Sequence, residues 1–323
     1  MTTLSPKQTF SRIGFALLAG TAVSILLTLL LLTPLNTPDT LQRIFDRFGP
    51  SVLLLLIYFP QIGFLLVFWL IVRKLPKTAW QTEKLRFGEL LMIFVMMYAV
   101  SGVFNQIGAA ISRAAPVGGT PALDMIGDIV GSGLAMGLLI VSLFAPILEE
   151  MIFRKLMIDR LHAYGERNAI LFSALSFGLF HGNLTQFLFA ASVGLFLGYV
   201  YCKTGKVRIT ILMHVLLNAF SSAIMLLVPR LSENGESMET LTALLFIVSL
   251  LLVAGMFVAG LILLIRYLAK NRFRLDDSMP SAIPRAEVLR TIYLNPGVAL
   301  LFVFSTAGIV TGLLDINLPI MAI

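Results

Sequence analysis

Charge is scarce in this chain. Only 13% of its 323 residues are Asp, Glu, Lys or Arg, while 58% are hydrophobic. Soluble domains carry about a quarter charged residues, so an ordinary water-soluble globule is excluded. Histidine occurs three times and cysteine once. The single Cys202 rules out an intramolecular disulfide framework and any cysteine-cluster metal centre. No His-Glu-x-x-His helix is present, so that zinc-protease pattern is absent as well. No internal repeat, low-complexity tract or soluble domain is visible.

What is there is apolar sequence in long uncharged runs. They are Ile13–Thr33, Phe48–Val72, Leu90–Ser112, Ile129–Leu148, Asn168–Cys202, Ile209–Pro229, Thr240–Ile265 and Thr291–Leu314. A spanning helix needs about 20 residues, so all but Asn168–Cys202 fit one span each. The first run follows lysine and arginine as a signal peptide would. Its apolar stretch is too long and lacks a convincing small-residue cleavage site, so it reads as a retained helix. The net charge of +7 comes from basic residues in short loops, the pattern of membrane orientation rather than nucleic-acid binding.

Asn168–Cys202 is too long for one simple span, and loop charge chooses between one helix and a tight hairpin. As one span, the 24 Lys and Arg divide evenly between the two sides. As a hairpin, only Arg43, Arg47, Arg113 and Arg230 lie on one side, and every other Lys and Arg lies on the other. The positive-inside tendency selects the hairpin, with the break near His181-Gly182-Asn183, where Gly and Asn tolerate turns. The fold expected is an all-α polytopic membrane bundle of eight to nine segments, in the plasma membrane, N-terminus cytoplasmic and C-terminus outside. Residues 1–128 supply N-terminal helices, 129–229 a core and 230–323 C-terminal helices, the last of them peripheral. The stretch 266–290 reads as a polar linker, and His162 as a solvated loop residue.

Ionisable groups inside membrane helices are costly and mark function by default. The stretch "APILEEMIFRKL", residues 145–156, holds three. Glu150 and Arg154 are four residues apart, 40° on a helical wheel, and form an ion pair. Glu149 is turned 100° away, free for other chemistry. Apolar residues continue past Arg154, so this helix extends to about Asp159 or Arg160, with Pro146 bending it. Glu149 then lies about 15 Å inside the membrane at 1.5 Å per residue. His181, His214 and Asn218 fall at compatible depth, and His214 and Asn218 share one helix face. All four converge in a cavity open to the cytoplasm, with Glu149 facing His181. A carboxylate and an imidazole orient and deprotonate a water, while a second imidazole and an amide stabilise an oxyanion. The same Glu149, His181 and His214 form an alternative zinc set.

These motifs resemble the CAAX protease and bacteriocin-processing intramembrane proteases, the CPBP or Abi family. Three ordered parts carry the resemblance: Glu149-Glu150 followed by Arg154, Phe177 four residues before His181, and His214 four residues before Asn218. The stretch "GLFLGYVYCKTGKVRITILMH" resembles the family's approach to the third part. Lys155 departs from the family, where glycine is common. The resemblance covers about residues 130–225. It implies that Glu149 activates water with His181 as its partner, and that His214 and Asn218 form the oxyanion site. Glu150 and Arg154 support the helix, and Phe177 packs near His181. Family members are described both as zinc-dependent and as metal-free glutamate proteases; the residues here favour the metal-free form. The implied substrate is a peptide or membrane protein, prenylated or not, met among membrane lipids. The competing reading is a non-catalytic immunity or scaffold protein, and a transporter is disfavoured by the lack of repeated halves.

Overall fold

A computed structural model describes residues 4–32, 43, 47, 51–115, 140–227, 240–279 and 281–313. Among the described residues all regular structure is helical, with no strand. Nine helices organise it: α1 (Pro6–Leu32), α2 (Ser51–Val72), α3 (Phe87–Ala114), α4 (residues 140–161), α5 (Glu166–Leu179), α6 (Leu184–Thr204), α7 (Val207–Leu227), α8 (Thr240–Ala269) and α9 (Pro296–Leu313). α1, α3, α6, α8 and α9 are each long and apolar enough to cross a membrane, so this is an integral membrane helix bundle. Most of the run Ile129–Leu148 lies outside the described residues.

Helix pairs build the core. α1 and α2 pack closely where Phe64 lies against Gly20 and Leu27 lies against Gly63, and Phe10, Ile13, Phe64 and Phe68 are all fully buried. α6 lies between α3 and α5. The long uncharged run divides as loop charge demands, α5 ending at Leu179 and α6 beginning at Leu184. Its arms are unequal, because α5 is only 14 residues and α6 is 21. Gly182 makes the break, at φ +69°, a left-handed conformation that glycine adopts without a Cβ penalty.

α4 is continuous past Arg154, but it is not uniform. Residues Ile140–Phe144 and Met151–Ile158 form wide π turns around an α segment, Ala145–Glu150. Pro146 supplies no N–H and crowds the preceding turn, and the helix continues through it with a wider ladder on either side. Such π segments recur at functional sites. The last turn, His162–Tyr164, tightens to 3₁₀.

Two stretches read as loops are pinned structure. His162 is 1% exposed, not solvated. The Trp80 ring stacks on it at 4.1 Å and 12°, and its Nε2 lies 3.5 Å from Glu166 Oε1. The local sequence is charged, but the segment before α3 folds over it. The linker after α8 is a strap: Glu166 N–H donates to Asp276 O at 3.1 Å, and Asp276 N–H donates back to Glu166 Oε2 at 2.8 Å. Ile283 N–H bonds Tyr164 O at 3.3 Å. Burial alone would raise the Glu166 carboxyl, but bonds from His162, the Asp276 N–H and Lys203 outweigh it and hold the group below its usual range. These contacts lie ahead of the uncharged run, outside the membrane-spanning sequence.

The last helix is not peripheral. Val298 and Leu301 enter the core, and α9 crosses α1 at Gly14 and Gly297. A Cβ on Gly297 would sit 1.9 Å from Ser11 O. Ser11 Oγ accepts the Gly297 N–H at 3.0 Å. Hydrophobicity shows that a helix enters the membrane, but small residues decide which neighbour it touches.

Candidate active site

Three helices bring the polar residues together: α4 with Glu149, Glu150 and Arg154, α5 with Phe177 and, in the turn just past its end, His181, and α7 with His214 and Asn218. Their side chains are withdrawn from the surface. Glu150 and Arg154 are fully buried, His214 is 4% exposed and Glu149 is 8% exposed. His181 and Asn218 are half-buried.

The i,i+4 pair on α4 is present. Arg154 Nε lies 3.1 Å from Glu150 Oε2, close in distance though not aligned as a hydrogen bond. Arg154 is also tied to α5. Its Nη1 donates to Ser173 Oγ at 3.3 Å, and that hydroxyl donates to Phe153 O at 2.7 Å. Its guanidinium lies over the Phe177 ring at 5.0 Å, in cation–π range.

Glu149 does not meet its expected imidazole. His214 Nε2 is 3.6 Å from Glu149 Oε2, and His214 Nδ1 is 3.1 Å from Glu150 Oε1. Among the described residues no hydrogen bond or ion pair joins Glu149 to His181. The helical wheel correctly separates the two acids, but one imidazole on α7 is broad enough to touch both. An ionised Glu150 only accepts, so His214 Nδ1 carries a proton, and His214 Nε2 is the nitrogen turned to Glu149.

His181 joins the cluster through Phe177. The Phe177 ring meets His181 edge-on at 5.0 Å and His214 edge-on at 5.7 Å. His181 Nδ1 is 2.9 Å from Phe177 O. A carbonyl only accepts, so Nδ1 is a protonated nitrogen, and in the neutral ring Nε2 holds the lone pair. Asn218 lies one turn beyond His214 on α7.

Sequence reasoning missed Ser173 and Tyr58. Ser173 is fully buried, and its spacing of four from Phe177 was the available signal. Tyr58 on α2 is 8% exposed and packs its ring at 5.8 Å from Phe144, just ahead of the acids. Nothing local in the α2 sequence marks it.

The donor set tests the zinc alternative. Two tetrahedral zinc ligands with bonds of about 2.0–2.1 Å stand roughly 3.3 Å apart, near the 3.6 Å between Glu149 Oε2 and His214 Nε2. The third donor is not brought in. Among the described residues no group of three or more His, Cys, Asp and Glu is arranged to hold a metal ion. Of the expected zinc set, Glu149 and His214 stand close to each other, while His181 is placed beside Phe177.

Comparison with known proteins points the same way as the motifs. Residues 131–220 match the family described as type II CAAX prenyl endopeptidase Rce1-like. The chain is also 30% identical over 170 residues to the "Putative membrane peptidase YdiL" of Bacillus subtilis (strain 168), a match covering 49% of this chain and 66% of that protein. The chain thus spans just under two thirds of that relative's length. No solved structure matches it. The family match contains every motif residue from Glu149 to Asn218.

Proposed function

We propose that this chain, which belongs to the CAAX protease and bacteriocin-processing family through its Rce1-like residues 131–220, is an intramembrane endopeptidase. The observation that carries the reading is the buried contact of Glu149 with His214, 3.6 Å from Oε2 to Nε2, beside the Glu150–Arg154 pair. Residues 129–229 are its protease core, and the site opens to the cytoplasm. The basic loops put the N-terminus on that side of the plasma membrane.

The chemistry follows from proton positions. Glu149 takes a proton from a water held also by the lone pair of His181 Nε2. The water oxygen bonds to the scissile carbonyl carbon, and the carbonyl π electrons move onto its oxygen. Asn218 Nδ2 donates to that oxyanion, as does His214 Nε2 when the ring is imidazolium. Collapse breaks the C–N bond, and the proton held on Glu149 passes to the departing amine. Phe177 keeps both imidazoles in register. The substrate is a peptide or membrane protein reached among lipids. Prenylated C-terminal peptides are the first candidates, because the matched family is described as prenyl endopeptidases.

The test is cleavage of a quenched peptide library and of a farnesylated CAAX peptide by purified protein. Loss of cleavage in Glu149→Ala and His181→Ala supports the reading, and persistence in both overturns it. Zinc analysis with and without chelator tests the metal-free mechanism. Stoichiometric zinc whose removal abolishes cleavage would replace it.

One observation favours a second reading. Glu150, Arg154, Ser173 and Phe177 also work as packing, locking α4 to α5, which is all that a non-catalytic immunity or scaffold protein needs. In that case Glu149→Gln leaves the cellular phenotype intact wherever the protein still accumulates.

A further inference from the structure

The tip of the α5–α6 hairpin is bonded more tightly than a turn requires. His181 is at the C-terminal end of α5, where backbone carbonyls lack helical partners. Among the described residues, no atom beyond its chain neighbours lies within 4 Å of where a Gly182 Cβ would stand. Asn183 supplies the restraint. Its Oδ1 accepts the Gln186 N–H at 2.9 Å, capping α6. Its Nδ2 donates to His181 O at 3.1 Å and to Gln186 Oε1 at 2.6 Å. The amide orientation is fixed chemically, since a backbone N–H only donates and a backbone carbonyl only accepts.

A second helix holds the same tip. Thr185 Oγ1 and Ser112 Oγ of α3 lie 3.1 Å apart. Gly108 of α3 faces Thr185 so closely that a Cβ there would be 2.7 Å from the Thr185 Cα. α3 therefore anchors the first turn of α6, and Asn183 passes that anchorage back to His181. The imidazole is then set by its own Nδ1 bond to Phe177 O, 2.9 Å away.

We propose that Asn183 is a positioning residue for His181: its Nδ2–H on the His181 carbonyl fixes the turn from which the imidazole reaches the site. The proposal rests on the protease reading for its catalytic consequence, but not for its structural one. The two halves of the amide have separate tasks. Oδ1 caps a helix, and Nδ2 holds His181. A small displacement of a catalytic group, about 1 Å, costs on the order of 10²-fold in rate, so the second task shows in turnover.

The experiment separates the two halves in the full-length protein in detergent. Asn183→Asp keeps an oxygen for the Gln186 N–H and, ionised at neutral pH, removes the donor to His181 O, while the Gln186 amide can turn to donate to the new carboxylate in place of the bond it accepted. Asn183→Gly removes both. Ring ¹⁵N NMR of the three histidines, with His181 assigned by its loss in His181→Gln, reports whether its Nδ1–H tautomer is fixed. Thermal unfolding and peptide cleavage are read alongside, with Glu149→Ala as the inactive control. Expected in Asn183→Asp are wild-type unfolding, a His181 signal shifted or averaged between tautomers, and kcat down about tenfold or more with KM unchanged. Asn183→Gly loses stability as well. An unchanged His181 signal in Asn183→Asp overturns the proposal, as does a fall in kcat that only tracks unfolding temperature. If Glu149→Ala cleaves as well as wild type, or no peptide is cleaved, the protease reading fails and the NMR signal alone decides on Asn183.

Discussion

His214 stands between two adjacent glutamates, Nδ1 at 3.1 Å from Glu150 and Nε2 at 3.6 Å from Glu149. The two acids have unequal surroundings. Glu150 has Arg154 and His214 close by and is fully buried, whereas Glu149 has the longer contact to His214 and is 8% exposed. Adjacent carboxylates on one helix thereby have different surroundings, and the proposed mechanism uses Glu149 as the base.

Glu149→Gln tests that division. The amide has nearly the shape of the acid but is no base, so peptide cleavage should fall by about 10²-fold or more. The unfolding temperature should stay near wild type, because no close bond is lost. Parallel assays of cleavage and thermal unfolding in detergent check it. A large drop in stability would show that Glu149 is structural.

Arg154→Met tests the pair beneath. It leaves Glu150 buried without its arginine, held only by hydrogen bonds such as those to His214 and Thr210, and breaking a buried pair by removing one partner costs about 3–5 kcal/mol. Glu150→Gln combined with Arg154→Met should recover much of that loss, since the amide oxygen still accepts from His214 Nδ1 and no lone charge is buried. Thermal unfolding of both variants measures the difference. A double variant no better than Arg154→Met would place the cost in lost Phe177 and Ser173 contacts.

Local spacing made the Glu150–Arg154 pair, the hairpin and the extended α4 legible, because each depends on residues near in sequence or on summed loop charge. The pairing of His214 with both acids was not, since a wheel gives the direction of a side chain but not which helix stands there. His162 was misread for the same reason: its burial is imposed by Trp80, far away in the chain. The strap was hidden because its bonds to Glu166 and Tyr164 are mostly backbone bonds, on which composition is silent. Ser11 and Gly297 could be read as small residues, but not as partners.

Glu166 gives a pH prediction with a definite sign. Its folded carboxyl is held below the ordinary 4.5, so the unfolded chain binds the proton more readily. Its contribution is fully present above about pH 4.3–4.5 and is lost as pH falls through the lower folded value. Unfolding temperature measured from pH 7 to pH 3 should show wild type losing its advantage over Glu166→Gln below about pH 4.5. A constant gap across that range would show that the strap does not depend on the charge of Glu166.

Gly297 sets how closely α9 approaches α1. Even an alanine Cβ would stand 1.9 Å from Ser11 O and 3.0 Å from the Phe15 ring. The first neighbour is backbone, so it cannot swing aside. Gly297→Ala must push the helices apart, stretching the 3.0 Å bond from Gly297 N–H to Ser11 Oγ and loosening Val298 and Leu301. Overpacking of this kind costs about 1–3 kcal/mol, read as a lower unfolding temperature. Gly312, with no described atom within 4 Å of its Cβ position, is the control on the same helix: Gly312→Ala should leave unfolding unchanged or raise it slightly, since alanine is the better helix former. Equal effects at the two positions would mean that helix propensity, rather than the crossing at Ser11, governs how α9 is held.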